Sequence, residues 1–319
     1  MNNLNRKLIW AFLLGLLVIV GITFFADYRA VAGALVKFDL RYLPLILGLT
    51  FLNYLLRFVK WQYLLRQIEV DITVKDSFRI FLSGLAMAMT PGKVGELLKS
   101  FLLKELKGVP VTRTAPVIFA ERLTDGFAMI ILAMTGMSFF RYGREMLLAA
   151  AGVMLVVLLA AQSRKVAGWI IGLAARLPVL HKFEAAFHRL FDSTLHLVRP
   201  RAFGYCVLLG TVSWFFESVA FYLVFLGLGY KLSLLAATFT LSFSTVVGAV
   251  SMLPGGLGAA DGSILGILLF MGVPNSIAGG ATILIRFCTL WFGVLLGLAA
   301  LIRYRGEFRI FAKNEGTEG

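Results

Sequence analysis

Charge is what this chain of 319 residues has least of. Asp, Glu, Lys and Arg make up 15% of it against 59% hydrophobic residues, and mean hydropathy is +0.87. Soluble domains are about a quarter charged and about half apolar, so an ordinary soluble fold is excluded. Cysteine is nearly absent. Cys206 and Cys288 stand in separate apolar runs, which points away from a disulfide and from a thiolate metal site. His181, His188 and His196 are the only histidines; they fall in the most polar stretch rather than in an apolar run, so no metal site is expected. The chain has no phosphate-binding loop, no dinucleotide fingerprint and no histidine-containing acid motif in an apolar run. That disfavours ATP-driven transport and lipid phosphatase or transferase chemistry within this chain, and no cofactor is expected. Acids are scarcer than bases, 17 against 31, giving a net charge of +14. In a soluble chain this would suggest nucleic acid. In an apolar one, the positive-inside rule and an anionic lipid surface account for it, and no nucleic-acid partner is expected.

What is present is a set of apolar runs near the roughly 20 residues that cross a bilayer core of about 30 Å. Six spans are expected, over 8–25, 42–65, 115–140, 146–161, 202–228 and 276–302. Two further stretches are broken by Pro-Gly: 78–90 and 94–103 around Pro91-Gly92, and 234–253 and 257–271 around Pro254-Gly255-Gly256. Each half of the first is too short to span alone at about 1.5 Å per residue, so re-entrant hairpins are expected. Sliding one half of the chain over the other by 163–164 residues brings Pro91 onto Pro254, Gly95 onto Gly258, Gly108-Val109-Pro110 onto Gly272-Val273-Pro274 and Arg122 onto Arg286. This is an internal duplication.

The expected fold is therefore an all-α polytopic membrane protein, a single domain over 1–319, with repeat 1 at about 8–140 and repeat 2 at about 146–302. The segment 162–201, rich in Lys and Arg with a stripe of Phe183, Phe187, Leu190 and Phe191, is expected to lie on the cytoplasmic membrane surface. A basic tail follows at 303–319. Loop charge places both termini, the 162–201 segment and both ends of the first hairpin in the cytoplasm. Equivalent spans are then three crossings apart, so the repeats are inverted, a recurring transporter plan.

Ten ionisable residues lie inside the apolar segments: Arg57, Lys60, Lys93, Arg122 and Arg286 against Glu96, Glu121, Asp125, Glu217 and Asp261. Each would cost about 2.5–3.5 kcal/mol alone at the bilayer centre, so they must face one another or a wet cavity. Glu121, Asp125 and Glu217 are read equally well as structural pairs. Lys93, Arg57 and Arg286 are expected to face the cavity, Lys93 at the start of a short helix whose free N–H groups suit a phosphate or another anion. Gly255 and Gly256 would let a ligand approach bare N–H groups, or simply make a tight turn.

Leu56-Arg57-Phe58-Val59-Lys60-Trp61, Pro91-Gly92-Lys93-Val94-Gly95-Glu96, Glu121-Arg122-Leu123-Thr124-Asp125 and Pro254-Gly255-Gly256-Leu257-Gly258 occur in that order. In these motifs the chain resembles the lysylphosphatidylglycerol synthase transmembrane-region family, over roughly 8–305. The resemblance implies a flippase-like membrane domain. In two-domain members that domain moves aminoacylated phosphatidylglycerol, and a separate soluble domain makes the lipid. No such domain follows within these 319 residues, so synthase activity is not expected. One departure is Asp261, where a glutamate is expected after the second Pro-Gly-Gly. The expected activity is lipid flipping or transport in a bacterial-type inner membrane, with no enzymatic step. The substrate-binding residues would be Arg57, Lys60, Lys93, Glu96, Arg122, Asp125, Gly255, Gly256, Asp261 and Arg286. The partners would be an anionic phospholipid or lipid-linked substrate and the surrounding lipids. A second copy or a separate lipid-synthesising enzyme is the protein partner left open. The competing reading is a membrane-embedded enzyme or accessory subunit acting on polyprenyl-linked sugars or envelope lipids, with Glu96 and Asp125 as acids.

Overall fold

The computed structural model describes residues 28–90, 95–136, 144–163, 165–166 and 184–304, and every regular element among them is helical. In chain order these are α1 (Tyr28–Val36), α2 (Leu43–Gln67), α3 (Val74–Leu85), α4 (Leu98–Lys107), α5 (Val111–Met134), α6 (Arg144–Gln162), α7 (Glu184–Leu197), α8 (Pro200–Gly227), α9 (Leu234–Val250), α10 (Ala259–Phe270), α11 (Asn275–Arg286) and α12 (Phe292–Tyr304). The five-residue π-helical segment Phe287–Trp291 joins α11 to α12, so that 275–304 runs as one long element.

Among the described residues, four helical stretches are long and apolar enough to cross a membrane: Leu40–Gln67, Arg144–Gln162, Pro200–Gly227 and Asn275–Tyr304. At 24 residues α5 is about 36 Å long, enough for a bilayer core by length alone, although it carries Arg113, Glu121, Arg122 and Asp125. The protein is an all-α, multi-pass membrane protein. The expected first span, 8–25, lies outside the described residues, as do most of the basic tail and residues 167–183 of the 162–201 segment. The described part of that segment is held against the bundle. α7 packs against α5 and α6, and Leu197 and Val198 behind it are buried in core clusters.

Both interrupted stretches are present. In the first, α3 ends at Leu85, turns follow through Met89, and a 3-10 turn at 95–97 leads into α4. In the second, α9 ends at Val250, and the 3-10 turn Pro254–Gly256 leads into α10. α3 and α10 have 12 residues each and α4 has 10, so each reaches only about 15–18 Å.

The duplication seen in the sequence recurs in local conformation. Thr73 caps α3 by accepting from the Asp76 N–H, and Ser233 caps α9 by accepting from the Ala236 N–H. Glu69 and Gly229 take the left-handed conformation before those caps, with φ of 55° and 71°. Gly108 and Gly272 do so after the second arms, with φ of 68° and 78°, and Pro110 and Pro274 then start α5 and α11.

Packing is reciprocal as well. α2 and α8, the long helices that precede the two interrupted stretches, pack on each other. The first arm of each interrupted stretch packs on the closing helix of the other half: α3 on α12, and α9 on α5. Two copies related by a two-fold axis exchange contacts in this way. Glycine sets the closeness of one of these contacts. A Cβ on Gly297 in α12 would lie 2.1 Å from the Ala86 backbone N and 2.7 Å from the Leu85 carbonyl carbon. Two large apolar cores form, one around Trp61, Phe81 and Leu103 and the other around Phe221, Phe225 and Ile285, and each draws on both halves: Cys206 joins the first, Phe38 and Ile46 the second.

Candidate functional site

α5 presents Glu121, Arg122 and Asp125 within little more than one turn, a spacing that puts 121 with 125, and 122 with 125, on shared faces. α2 brings Lys60 to this group, the 3-10 turn before α4 brings Glu96, and the start of α4 brings Lys99. The result is a line of alternating charge. Lys60 Nζ donates to Asp125 Oδ1 and sits 3.4 Å from Thr124 Oγ1. The Asp125 Oδ2 atom is 3.0 Å from an Arg122 terminal nitrogen, which is also 3.4 Å from Glu96 Oε2. Glu96 Oε2 is 3.9 Å from Lys99 Nζ, and Lys99 donates to Glu121 Oε2 at 2.5 Å.

The desolvation that makes a lone buried ion costly is met here by neighbours of opposite sign on both sides of most members. Lys99 gains further from aromatic faces, its Nζ standing 4.4 Å from the Trp61 ring centroid and 5.5 Å from that of Phe81. Gly84 makes room for it, since a Cβ there would be 2.5 Å from Lys99 Cγ. Lys60, Lys99 and Glu121 are sealed in the interior. The Arg122 side chain, 22% exposed, is the most accessible member.

The second half holds a simpler cluster. Arg286 Nε donates to Asp261 Oδ1, and Asp261 Oδ2 accepts from the Gly258 N–H at 2.9 Å. The terminal Arg286 nitrogens lie 3.5 Å from the Gly255 carbonyl and 3.4 Å from the Gly256 carbonyl. Asp261 is buried and Arg286 is 18% exposed. This corrects two expectations. Arg286 is ion-paired rather than turned freely to a cavity. Gly255 and Gly256 face the charge with carbonyls, while the Gly256 N–H is spent on the Leu253 carbonyl at 2.9 Å. The turn needs glycine for its backbone: Gly255 and Gly256 have φ of 60° and 67°.

The two breaks meet. Met89 from the first packs with Leu257 from the second and with Val294, Leu290 and Trp291. A Cβ on Gly255 would stand 3.6 Å from Met89 Cα. Of the residues named from sequence, Lys60, Glu96, Arg122 and Asp125 are gathered in one cluster, and Gly255, Gly256, Asp261 and Arg286 in the other. Arg57 belongs to neither ion line, and its guanidinium lies over the Trp214 ring, 5.5 Å from the centroid. Lys93 is outside the described residues. Lys99 was missed. Its signal was available: a lysine inside an apolar arm, three residues after Glu96. Among the described residues no group of three or more His, Cys, Asp or Glu could hold a metal ion.

Comparison with known proteins fits this architecture. The model of the family described as lysylphosphatidylglycerol synthase TM region matches residues 12–297. The chain belongs to that family. Similar proteins include a UPF0104 membrane protein of Methanothermobacter thermautotrophicus, 24% identical over 318 residues, covering 90% of this chain and 94% of the relative. A UPF0104 membrane protein of Methanocaldococcus jannaschii is 26% identical over 234 residues, covering 72% and 97%. One of Pyrococcus horikoshii is 22% identical over 324 residues, covering 91% and 97%. In this member of the lysylphosphatidylglycerol synthase TM region family, both interrupted stretches and both ion-pair clusters lie inside the matched region.

Proposed function

We propose that this protein is a lipid flippase or transporter that moves an anionic or lipid-linked headgroup across the bilayer without an enzymatic step. One observation carries the reading. The arginine of each half, Arg122 or Arg286, is paired with an acid just beyond its own helix break, and each is the most accessible member of its cluster, at 22% and 18% exposed. The breaks themselves touch at Met89 and Gly255. Guanidinium groups suit phosphate through bidentate, charge-assisted hydrogen bonds, and broken helices meeting between repeats are where transporters of this plan bind substrate.

The two halves are inverted with respect to the membrane, with both termini and both ends of the first interrupted stretch in the cytoplasm of a bacterial-type cell. Loop charge supports this assignment, and the reciprocal packing of α3 on α12 and α9 on α5 agrees with a two-fold relation. Pairing of Glu96 and Asp125 with cations weighs against using them as general acids, and so against the membrane-embedded enzyme.

The test is reconstitution of the purified protein into vesicles carrying headgroup-labelled phosphatidylglycerol, with movement between leaflets followed by quenching from outside and no other enzyme added. Movement faster than in empty vesicles is expected. Chemical turnover of a lipid-linked sugar without any movement would replace this reading with the enzyme.

A further inference from the structure

One acid and one cation make up the charge at the second break. α9 and the Pro254–Gly256 turn carry no titratable side chain, α10 carries Asp261 alone, and α11 carries Arg286 alone. α9, that turn and α11 are the elements packed most closely on α10. Apolar clusters bring α1, α2, α6 and α8 to its other positions. Charged residues on those helices include Arg29, Arg57, Lys60, Arg144, Glu145 and Glu217, and among the described residues none forms an ion pair with Asp261.

The pair itself is unevenly held. Arg286 Nε donates to Asp261 Oδ1, and the other carboxylate oxygen takes the Gly258 N–H at 2.9 Å. The Asp261 side chain is 1% exposed and that of Arg286 18%. The terminal nitrogens of Arg286 stand 3.5 and 3.4 Å from the Gly255 and Gly256 carbonyls. Those contacts are long, so the guanidinium has N–H groups to turn toward an incoming anion.

An anion on Arg286 puts two negative charges on one cation. Asp261 is then a buried carboxylate short of its partner, a strongly destabilised state. Arg286 offers no relief, since it stays charged at any pH a protein meets. A second cation offers none either, because the elements packed most closely on α10 carry only Arg286. What remains is a proton on Asp261, since a like charge beside a carboxylate favours its neutral form. As a carboxylic acid, Asp261 still accepts from the Gly258 N–H and gains an O–H to donate. The first break differs. When Arg122 turns to an anion, Asp125 keeps Lys60 and Glu96 keeps Lys99 at 3.9 Å, so no proton is called for there.

We propose that Asp261 takes up one proton from water each time Arg286 binds a phosphate monoanion, so that anion and proton bind, cross and leave together. The proton goes onto a carboxylate oxygen and the Asp261–Arg286 ion pair opens. Guanidinium, phosphate and carboxylic acid then sum to zero, as guanidinium and carboxylate do in the empty site. This rests on the lipid-transport reading above and supplies its driving force, a pH difference across the membrane.

For the test, the full chain in phosphatidylcholine nanodiscs is titrated by calorimetry with short-chain phosphatidylglycerol and, separately, with dimethyl phosphate. Both probes are phosphodiesters whose single charge does not titrate near neutral pH. Repeating each titration in two buffers of different protonation enthalpy counts the protons taken up. Wild type should take up about one proton per lipid bound. Asp261→Asn, which keeps an amide oxygen for the Gly258 N–H, should take up none, and Glu96→Gln should still take up about one. In vesicles, an imposed pH difference should gather labelled lipid in the leaflet facing the more alkaline side with wild type, and leave it evenly spread with Asp261→Asn. Binding without proton uptake by wild type, which needs no variant to fold, overturns the coupling. So does a count that falls in Glu96→Gln but not in Asp261→Asn. If lipid still moves in either case, the transport reading stands without the coupling. Proton uptake with dimethyl phosphate but no binding of the lipid upholds the coupling and sinks the lipid reading instead. No binding of either probe overturns both.

Discussion

Arg286 pairs with the buried Asp261 just beyond the second break, and Arg122 pairs with Glu96, 3.4 Å away, just beyond the first. The two pairs differ in support. Glu96 also has Lys99 at 3.9 Å and Arg122 also has Asp125 at 3.0 Å, whereas the other oxygen of Asp261 accepts from the Gly258 N–H. Loss of Arg286 should therefore be costly. Arg286→Gln is expected to lower stability by about 3–5 kcal/mol, because it strands a buried carboxylate. Asp261→Asn should cost less, about 1–3 kcal/mol, since Arg286 keeps two carbonyls and some water. Denaturant unfolding in mixed micelles measures both. Equal losses, or a loss below about 1 kcal/mol in Arg286→Gln, would mean the arginine is solvated by a cavity after all.

Lys99 and Glu121 should behave as one unit. Lys99→Met leaves Glu121, with a side chain 0% exposed, facing no cation at hydrogen-bond distance, and should cost about 3–5 kcal/mol. Adding Glu121→Gln should recover more than half of that loss. A double-mutant cycle reads the coupling directly. Additive losses would place the two residues outside each other's influence.

The closeness of α12 to the first break gives a steric prediction. Gly297→Ala drives a methyl into the backbone at Leu85–Ala86 and should destabilise by about 3 kcal/mol or more, at the top of the range for overpacking. Gly262→Ala, on α10 with nothing within 4 Å of the added methyl, should be near neutral or slightly stabilising. Thermal unfolding of both variants checks the difference, and two indistinguishable melting curves would refute the close contact.

The topology can be read by labelling. Cys206 and Cys288 are both buried, so new cysteines report with little background. Lys75→Cys and Lys107→Cys, at the two ends of the first interrupted stretch, should react from the cytoplasmic face with an impermeant maleimide. Lys231→Cys, at the start of the second, should react from the opposite face. Labelling of positions 75 and 107 on opposite faces would turn the re-entrant stretch into an ordinary crossing.

Much of the architecture was legible in the chain itself. Apolar run length, the Pro-Gly breakers and the paired Gly-Val-Pro turns each act over a few neighbouring residues, and helix ends came out within a few residues of most of the expected bounds. The duplication was legible for the same reason: Gly108 and Gly272 encode the same left-handed turn wherever the chain carries them. The type of helix at its start was not legible: the second arm of the first stretch was expected over 94–103, and among the described residues it opens as a 3-10 turn at 95–97 before becoming α-helical at Leu98, since glycine and apolar residues there are compatible with either conformation.

By itself, the sequence determined that this is a helical membrane protein with two apolar stretches broken by Pro-Gly, each followed by an arginine inside an apolar run. Only the tertiary structure decided who pairs with whom. Lys60 meets Asp125 across 65 residues and Lys99 meets Glu121 across 22, and no local pattern specifies either choice. Those pairings follow from which helices cross and at what depth, which is set by packing of whole apolar faces such as α2 on α8. Burial then makes each pairing obligatory, since an ion without a partner in that interior costs several kcal/mol.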